Sequence, residues 1–207
     1  IEKGNANTVI AVIDTGVRWS HPDLAQNIWT NTGEIPNNNL DDDGNGYIDD
    51  VRGWDFVDTT NPFCSLGEDC TGEDNNPDDY FGHGTHVAGI AAAVTNNGIG
   101  VAGTCWFCKI MVVRAGYAVG NPTYTSFLEF SDVVQALVYA TDNGADIINM
   151  SFSGAHSFTI QNAINYAYNQ GKILVAAARD EGLSLNILSY PAAYPNVMAV
   201  AASNQYD

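Results

Sequence analysis

Basic residues are scarce in this sequence: seven lysines and arginines stand against 24 aspartates and glutamates, a formal charge of −17 over 207 residues. So acidic a surface repels the phosphates of nucleic acids and anionic lipids, and it attracts cations. We therefore expect no nucleic-acid partner and no membrane partner, and we expect calcium as the counter-ion. The alternative is that the acidity serves only solubility or a salty habitat.

The sequence also lacks any run of about 18 or more apolar residues, so no segment predicts a membrane-spanning helix. Its first residues have neither the basic nor the apolar region of a signal peptide, and we expect a mature or excised segment. The 45% hydrophobic content is enough for one sizeable core, which predicts a single domain.

Cysteine is limited to four residues, Cys64, Cys70, Cys105 and Cys108, which allow three disulfide pairings. We favour Cys64 with Cys70 and Cys105 with Cys108, because each pair closes a short loop. Disulfides would indicate an oxidising, extracytoplasmic location. The alternatives are a zinc site, disfavoured by the wide first spacing and the Asp-rich loops, and a thioredoxin-like redox pair, disfavoured because no helical pattern follows.

Apolar strands alternate with amphipathic helices along much of the sequence. Strands are predicted at residues 8–13, 51–57, 109–114, 146–151, 173–178 and 197–201. Helices are predicted from His83, around the apolar residues Val133, Val134, Leu137 and Val138, and over about 157–170, with Ser157 as N-cap and Gly171 as stop. This alternation predicts an α/β fold: a doubly wound, mostly parallel sheet with helices on both faces.

Two segments place reactive side chains at the ends of these elements. The first strand ends in Asp14, and a carboxylate at that place rarely serves packing. Residues 83–89, His-Gly-Thr-His-Val-Ala-Gly, put His83 between glycines in the first turn of a helix, where another backbone can approach the imidazole. The inward stripe of this helix is expected at Val87, Ile90, Ala91 and Val94.

These segments resemble the aspartate and histidine signatures of the subtilisin-like serine proteases, the subtilases, in the order Asp before His. The resemblance implies a triad in which Asp14 orients His83 and His83 takes the proton of a serine hydroxyl. The family's Gly-Thr-Ser-Met-Ala signature does not occur in the sequence. We therefore expect the serine beyond Asp207, the chain to be a C-terminally incomplete subtilisin-like peptidase domain, and the chain alone to be inactive.

The same resemblance assigns the substrate-binding residues. It implies that an extended substrate adds as a strand along Ser151, Phe152, Ser153 and Gly154, and that Ala177 and Ala178 line the pocket for the residue before the cut. Asp180 falls at the oxyanion position, where most of the family has asparagine. An ionised aspartate has no proton to donate to an oxyanion, so this residue departs from the family pattern.

Residues 41–50 lie within a polar insertion at about 29–80 and predict a calcium loop. Asp41, Asp43 and Asn45 alternate, a glycine supplies the turn, and Tyr47 can offer its carbonyl, as in the opening of an EF-hand-type loop. The twelfth position holds an arginine instead of glutamate, so Asp49 or Asp50 would have to complete the ligand shell. A solvated acidic turn is the alternative.

A second calcium site is implied by the family resemblance alone. Its ligands would be the Asp23 carboxylate, the Asn97 side chain and the carbonyls of Val94, Ile99 and Val101. Together these features predict a secreted or extracellular, calcium-binding serine endopeptidase that acts on polypeptides and has an inhibitory propeptide as a further partner. The alternatives are a non-catalytic calcium-binding pseudoprotease or interaction module, and a zinc-dependent hydrolase that uses His83 and His86.

Overall fold

The computed structural model describes residues 3–120, 125–178 and 189–203. Its main sheet contains six parallel strands in the order β2-β3-β1-β6-β7-β8. These strands are β1 (Val9–Asp14), β2 (Gly53–Asp55), β3 (Lys109–Arg114), β6 (Ile147–Met150), β7 (Ile173–Ala177) and β8 (Val197–Val200). A two-stranded antiparallel hairpin is formed by β4 (Gly116–Val119) and β5 (Thr125–Leu128).

The first strand lies inside the sheet, between β3 and β6, and every one of its residues is buried. Its apolar run fits this place because helices cover both faces of a parallel sheet. In the register with β3, Asp14 pairs with Arg114, so the carboxylate stands at the carboxyl end of a central strand. Functional side chains of open α/β sheets gather at that end.

Three helices cover the two faces of the sheet: α1 (His83–Ala92), α2 (Phe130–Asp142) and α3 (Phe158–Asn169). Residues of α2 and α3, such as Leu137 and Ile164, share a core with Ile13 on one face. On the other face, Ala88 of α1 packs with Val12. The sheet is therefore doubly wound, and the predicted α/β architecture with a mostly parallel sheet is confirmed.

The buried face of α1 differs from the stripe that periodicity predicts. Its buried residues are Gly84, Ala88 and Ala92, while Ile90 is 56% exposed and Val87 is only partly buried. At Gly84 the helix lies so close to Asp14 and Gly16 that no side chain fits between them. A Cβ atom built on Gly84 would lie 2.0 Å from the carbonyl oxygen of Gly16.

The hairpin β4–β5 was missed by the sequence analysis, and the strand predicted over 51–57 is shorter, spanning only Gly53–Asp55. The hairpin is supported by a small apolar cluster that contains Tyr117 and Val119, and also by polar contacts. Glu68 accepts hydrogen bonds from the Ala118 amide at 2.8 Å and from the Arg114 guanidinium at 3.0 Å. Arg114 also forms a buried ion pair with Asp55.

Two disulfides, Cys64–Cys70 and Cys105–Cys108, close short loops as expected. The loop closed by the Cys64–Cys70 disulfide packs against the hairpin, because the backbone of Cys64 forms an isolated β-bridge with Val119. Within the described ranges, no helix has both the length and the apolar character needed to cross a membrane.

Candidate active site

Asp14 and His83 meet at the carboxyl end of β1. His83 Nδ1 lies 2.7 Å from Asp14 Oδ1, which also accepts a hydrogen bond from the Thr15 amide at 2.8 Å. Asp14 is 3% exposed, whereas the imidazole is 42% exposed, so one edge of the ring is anchored and the other is open. The two residues are 69 positions apart in sequence and are joined by the packing of α1 on the sheet.

The contact with Asp14 determines the protonation chemistry of His83. The hydrogen bond to Asp14 raises the pKa of His83, burial opposes this shift, and the negative charges of Asp14 and Asp79 add to it. With a proton on Nδ1 facing the carboxylate, Nε2 of the neutral ring is left as an acceptor. The pair therefore has the geometry of an oriented general base.

The open edge of His83 faces a cleft of about 400 Å³. Besides Asp14 and His83, the cleft is lined by residues of the hairpin, α2 and α3, by the segment after β6 and by an aromatic group. These residues are Ser126, Phe127, Leu128, Phe130, Val133, Ser151, Phe152, Ser153, Gly154, Ala155, Ile160, Tyr190, Pro191 and Tyr194. The four residues 151–154 named from the sequence thus line the same cleft as the Asp14–His83 pair.

The other two sequence-derived substrate residues lie at the carboxyl end of β7, the strand next to β6. Ala177 ends β7, and the Ala178 amide donates to the Val200 carbonyl at 2.9 Å. Among the described residues that line the cleft, neither alanine is present. Asp180 lies outside the described residues.

The acidic loop at 41–46 is folded around the Asp41 carboxylate. Its oxygens accept hydrogen bonds from the amides of Gly44, Asn45 and Gly46 at 2.8–3.1 Å. Asn45 in turn accepts from the Tyr47 amide at 2.8 Å. The ring of Tyr47 packs edge-on against aromatic side chains of the core, which fixes the C-terminal end of the loop; these are Trp54, Phe56 and Tyr139.

A carboxylate outside the predicted motif completes the acidic cluster. Oxygens of Glu34, Asp41 and Asp43 all lie within 4.8 Å of one another, which fits a hard cation held by oxygen ligands. Asp50 is fully buried and accepts hydrogen bonds from Asn31 at 2.7 Å, from Tyr139 at 2.5 Å and from the loop residue Asn45 at 3.1 Å, and burial raises its pKa. The structure thus brings Glu34 beside Asp41 and Asp43, and Asp50 is linked to this cluster because Asn31 donates to both Asp43 and Asp50.

The residues of the second predicted calcium loop are joined by hydrogen bonds around Asp23. Its carboxylate accepts from Asn97 Nδ2 at 2.7 Å and from the Val101 amide at 2.8 Å, and these bonds lower its pKa. The Val94 amide donates to the Asp23 carbonyl, and the Ile99 amide donates to Asn97 Oδ1. All five sequence-named residues therefore lie in one compact unit beside α1.

Among known protein families, the sequence profile described as the subtilase family matches residues 5–207 of this chain. The chain belongs to the subtilase family. This subtilase is 40% identical over 208 residues to the thermophilic serine proteinase of Bacillus sp. (strain AK1), covering all of this chain and 41% of that protein.

Other relatives of the subtilase agree with this assignment. It is 37% identical over 210 residues to the extracellular protease of Xanthomonas campestris pv. campestris, covering 96% of this chain and 33% of that protein. The solved structure of sphericase superposes with a TM-score of 0.70 at 31% identity, covering 97% of this chain and 55% of sphericase. The subtilase chain thus spans between a third and just over half of the length of these three proteins.

Sequence reasoning missed several residues around the subtilase site. Glu34 lies upstream of the acidic motif, and no fixed spacing marks it as a ligand. The cleft wall at Phe127 and Leu128 belongs to the unpredicted hairpin, and Tyr190 reaches the cleft through a backbone bridge to Gly154. For the cleft residues, the sequence offered only their apolar or aromatic type, which is not specific to a binding site.

Proposed function

We propose that this chain is the aspartate- and histidine-bearing part of the peptidase domain of a calcium-binding serine endopeptidase of the subtilisin type. The observation that carries the proposal is the 2.7 Å contact between His83 Nδ1 and the buried Asp14 carboxylate at the edge of a cleft. The polar insertion at about 29–80 is proposed as the calcium-loop insertion of this domain.

In the proposed reaction, Nε2 of His83 takes the proton from a serine hydroxyl as its oxygen attacks the scissile carbonyl carbon. The serine belongs to a segment outside these 207 residues. Asp14 holds the imidazole in the required tautomer and stabilises the imidazolium, which then gives its proton to the leaving amine. The buried position of Asp14 supports this role because its charge is not screened by water.

The proposed substrates are extended polypeptides of broad sequence. The cleft is lined by residues 126–128 of β5 and by residues 151–154 after β6, which suits a substrate that pairs through its backbone. Apolar lining by Phe127 and Phe152 favours apolar side chains on the substrate. Ala177 and Ala178 remain proposed for the pocket next to the cut, and an inhibitory propeptide would occupy the same cleft.

Covalent labelling tests the proposal. The complete protein, which carries this chain together with the serine segment, is expected to react with a fluorophosphonate probe and to hydrolyse a peptide substrate, and His83→Ala is expected to abolish both. A folded complete protein that is not labelled would favour the alternative, a non-catalytic calcium-binding pseudoprotease or interaction module.

Asp180 is proposed to occupy the oxyanion position. As an ionised carboxylate it offers no donor, so backbone N–H groups would have to stabilise the oxyanion. Asp180→Asn in the complete protein is then expected to raise kcat by roughly tenfold to a hundredfold, because a side-chain donor at that position contributes about 10²-fold or more. An unchanged or lower kcat would remove Asp180 from this position.

Calcium is proposed at both acidic loops, and its chemistry there is structural: it would neutralise clustered carboxylates and fix the loops. At the first loop the proposed ligands are Glu34, Asp41 and Asp43, with the Asn45 side chain and the Tyr47 carbonyl. At the second they are Asp23, Asn97 and the carbonyls of Val94, Ile99 and Val101. A secreted or extracellular location is proposed as well, supported by the two disulfides.

A further inference from the structure

The start of α1 has an unusual capping arrangement. The N-cap residue is Gly82, in the left-handed region with φ of 98°, and no side chain at that position can accept from the first helical amides. The first amides of a helix have no partner within the helix, so other groups must satisfy them. Here the acceptors come from two different segments of the chain, Asp79 and Thr15.

Asp79 binds the first turn of α1 with both of its carboxylate oxygens. Oδ2 accepts from the Thr85 amide at 2.9 Å and from the Thr85 hydroxyl at 2.6 Å, while Oδ1 accepts from the Gly82 amide at 2.7 Å. Asp79 is 4% exposed, so these bonds are protected from water. A carboxylate at a helix N-terminus is also favoured by the helix dipole.

Thr15 connects this cap to the catalytic aspartate. Its hydroxyl donates to Asp79 Oδ1 at 2.9 Å and accepts from the Gly84 amide at 3.1 Å, while its own amide donates to Asp14 Oδ1 at 2.8 Å. Thr15 follows Asp14 in the sequence, and Gly84 follows His83. The residues that follow the two reactive side chains are therefore hydrogen-bonded to each other. The Asp79 carboxylate accepts hydrogen bonds from both segments, from Thr15 after β1 and from Thr85 in the first turn of α1.

We propose that Asp79 is a positioning residue for the Asp14–His83 pair: it fastens the first turn of α1 to the end of β1 and so sets the contact between the two side chains. This inference rests on the proposed function. Asp79 does not touch the cleft, and among the described residues that line the cleft it is absent. Its influence on catalysis passes through His83 and Thr15.

The role predicts two effects on His83. Misplacement of a catalytic group by about 1 Å can cost up to 100-fold in rate, so Asp79→Asn in the complete protein is expected to lower kcat by roughly tenfold to a hundredfold while KM changes less than about twofold. The pKa of His83 is expected to fall, because Asp14 and Asp79 are the two carboxylates whose charges raise it. Its titration is followed by NMR of ¹³C-labelled histidine, assigned with His83→Gln.

Asp78→Asn is the matched control, because it removes the same charge one position away and the Asp78 carboxylate makes no hydrogen bond to α1. A pair at Thr15 gives a test that does not depend on folding of the Asp79 variant: Thr15→Val removes the hydroxyl link, and Thr15→Ser keeps it. The proposal expects Thr15→Val to lower kcat as Asp79→Asn does and Thr15→Ser to restore it.

Two outcomes would overturn the proposal: a folded Asp79→Asn protein whose kcat and His83 titration match those of Asp78→Asn, or equal kcat in the two Thr15 variants. Failure of the proposed function is a separate result. An unlabelled wild-type protein would refute the serine-protease assignment, while the titration of His83 in the Asp79 variant would still report whether Asp79 controls the pair.

Discussion

At the scale of single residues, Asp14 orients His83 through a hydrogen bond that also raises the pKa of the imidazole. Replacing Asp14 by asparagine in the complete protein keeps the size of the side chain but allows the wrong imidazole tautomer, and kcat is expected to fall by about 10⁴-fold. Because the hydrogen bond to Asp14 raises the pKa of His83, the acid limb of the pH–rate profile should move to lower pH in the variant. An acid limb at the wild-type position would mean that Asp14 does not control the titration of His83.

Asp132 in the first turn of α2 gives a second prediction at this scale, for stability. It is 4% exposed, and burial, together with the charges of Glu129, Glu73 and Asp58, outweighs the hydrogen bond from Ser131 and raises its pKa to about 6. The folded state therefore binds the proton more tightly than the unfolded state, and stability is lost as pH rises from about 4 to above 6.

Asp132→Asn removes this penalty without changing the size of the side chain. At pH 8 the variant is expected to be more stable than the wild type by roughly 1–3 kcal/mol, given about 1.4 kcal/mol per pKa unit, and at pH 4 the gain should vanish. Urea unfolding at the two pH values measures the difference. An equal gain at both would show that charge is not the cause.

At the scale of elements, the packing of α1 on β1 depends on the absence of a side chain at Gly84. A Cβ there would lie 2.0 Å from the Gly16 carbonyl oxygen and 3.0 Å from Asp14 Cβ. Gly84→Ala should therefore push the helix away from the sheet and destabilise the chain by about 1–3 kcal/mol or more. A fall in the melting temperature measures the effect.

Gly89 in the same helix is the matched control, since a Cβ there meets nothing within 4 Å. Gly89→Ala should raise the stability by about 0.5–1 kcal/mol, because alanine loses less conformational entropy in a helix. Equal effects of the two substitutions would show that propensity, and not the contact with β1, governs α1.

The same helix shows what could and could not be predicted from the sequence. The position of His83 in the first turn follows from the glycine before it, and the strand leading to Asp14 follows from an unbroken apolar run. The buried face of α1 did not follow, because hydrophobic periodicity predicts that Ile90 is buried and Gly84 is not. Periodicity contains no information on the distance between two backbones. The roles of Asp79 and Glu34 were not predicted for a related reason: the residues they contact lie on separate segments of the chain, which only the fold brings together.

At the scale of the whole molecule, one open edge of the sheet is apolar. In β8 and the neighbouring β7, Met198 is 60% exposed, Val200 is 50% exposed and Ile173 is 52% exposed. An uncovered apolar strand edge is prone to association. The β8 edge is therefore a surface through which the 207-residue chain is expected to self-associate.

Calcium removal tests how much the proposed ions contribute to the stability of the folded state. The molecule carries a formal charge of −17, and without a cation the clustered carboxylates of Glu34, Asp41 and Asp43 repel one another. A ligand that binds only the folded state at about 1,000 times its Kd stabilises that state by about 4 kcal/mol. Chelation with EDTA should therefore lower the melting temperature of the complete protein, and added calcium should restore it.

Glu34→Gln distinguishes the first loop from general charge effects. If Glu34 is a ligand, the variant should bind calcium more weakly in titration calorimetry, and EDTA should lower its melting temperature less than that of the wild type. Glu73→Gln makes the same chemical change within the 29–80 insertion but outside the cluster, so its response to EDTA should match the wild type. The same response in both variants would show that Glu34 does not hold the ion, and no response in the wild type would remove structural calcium altogether.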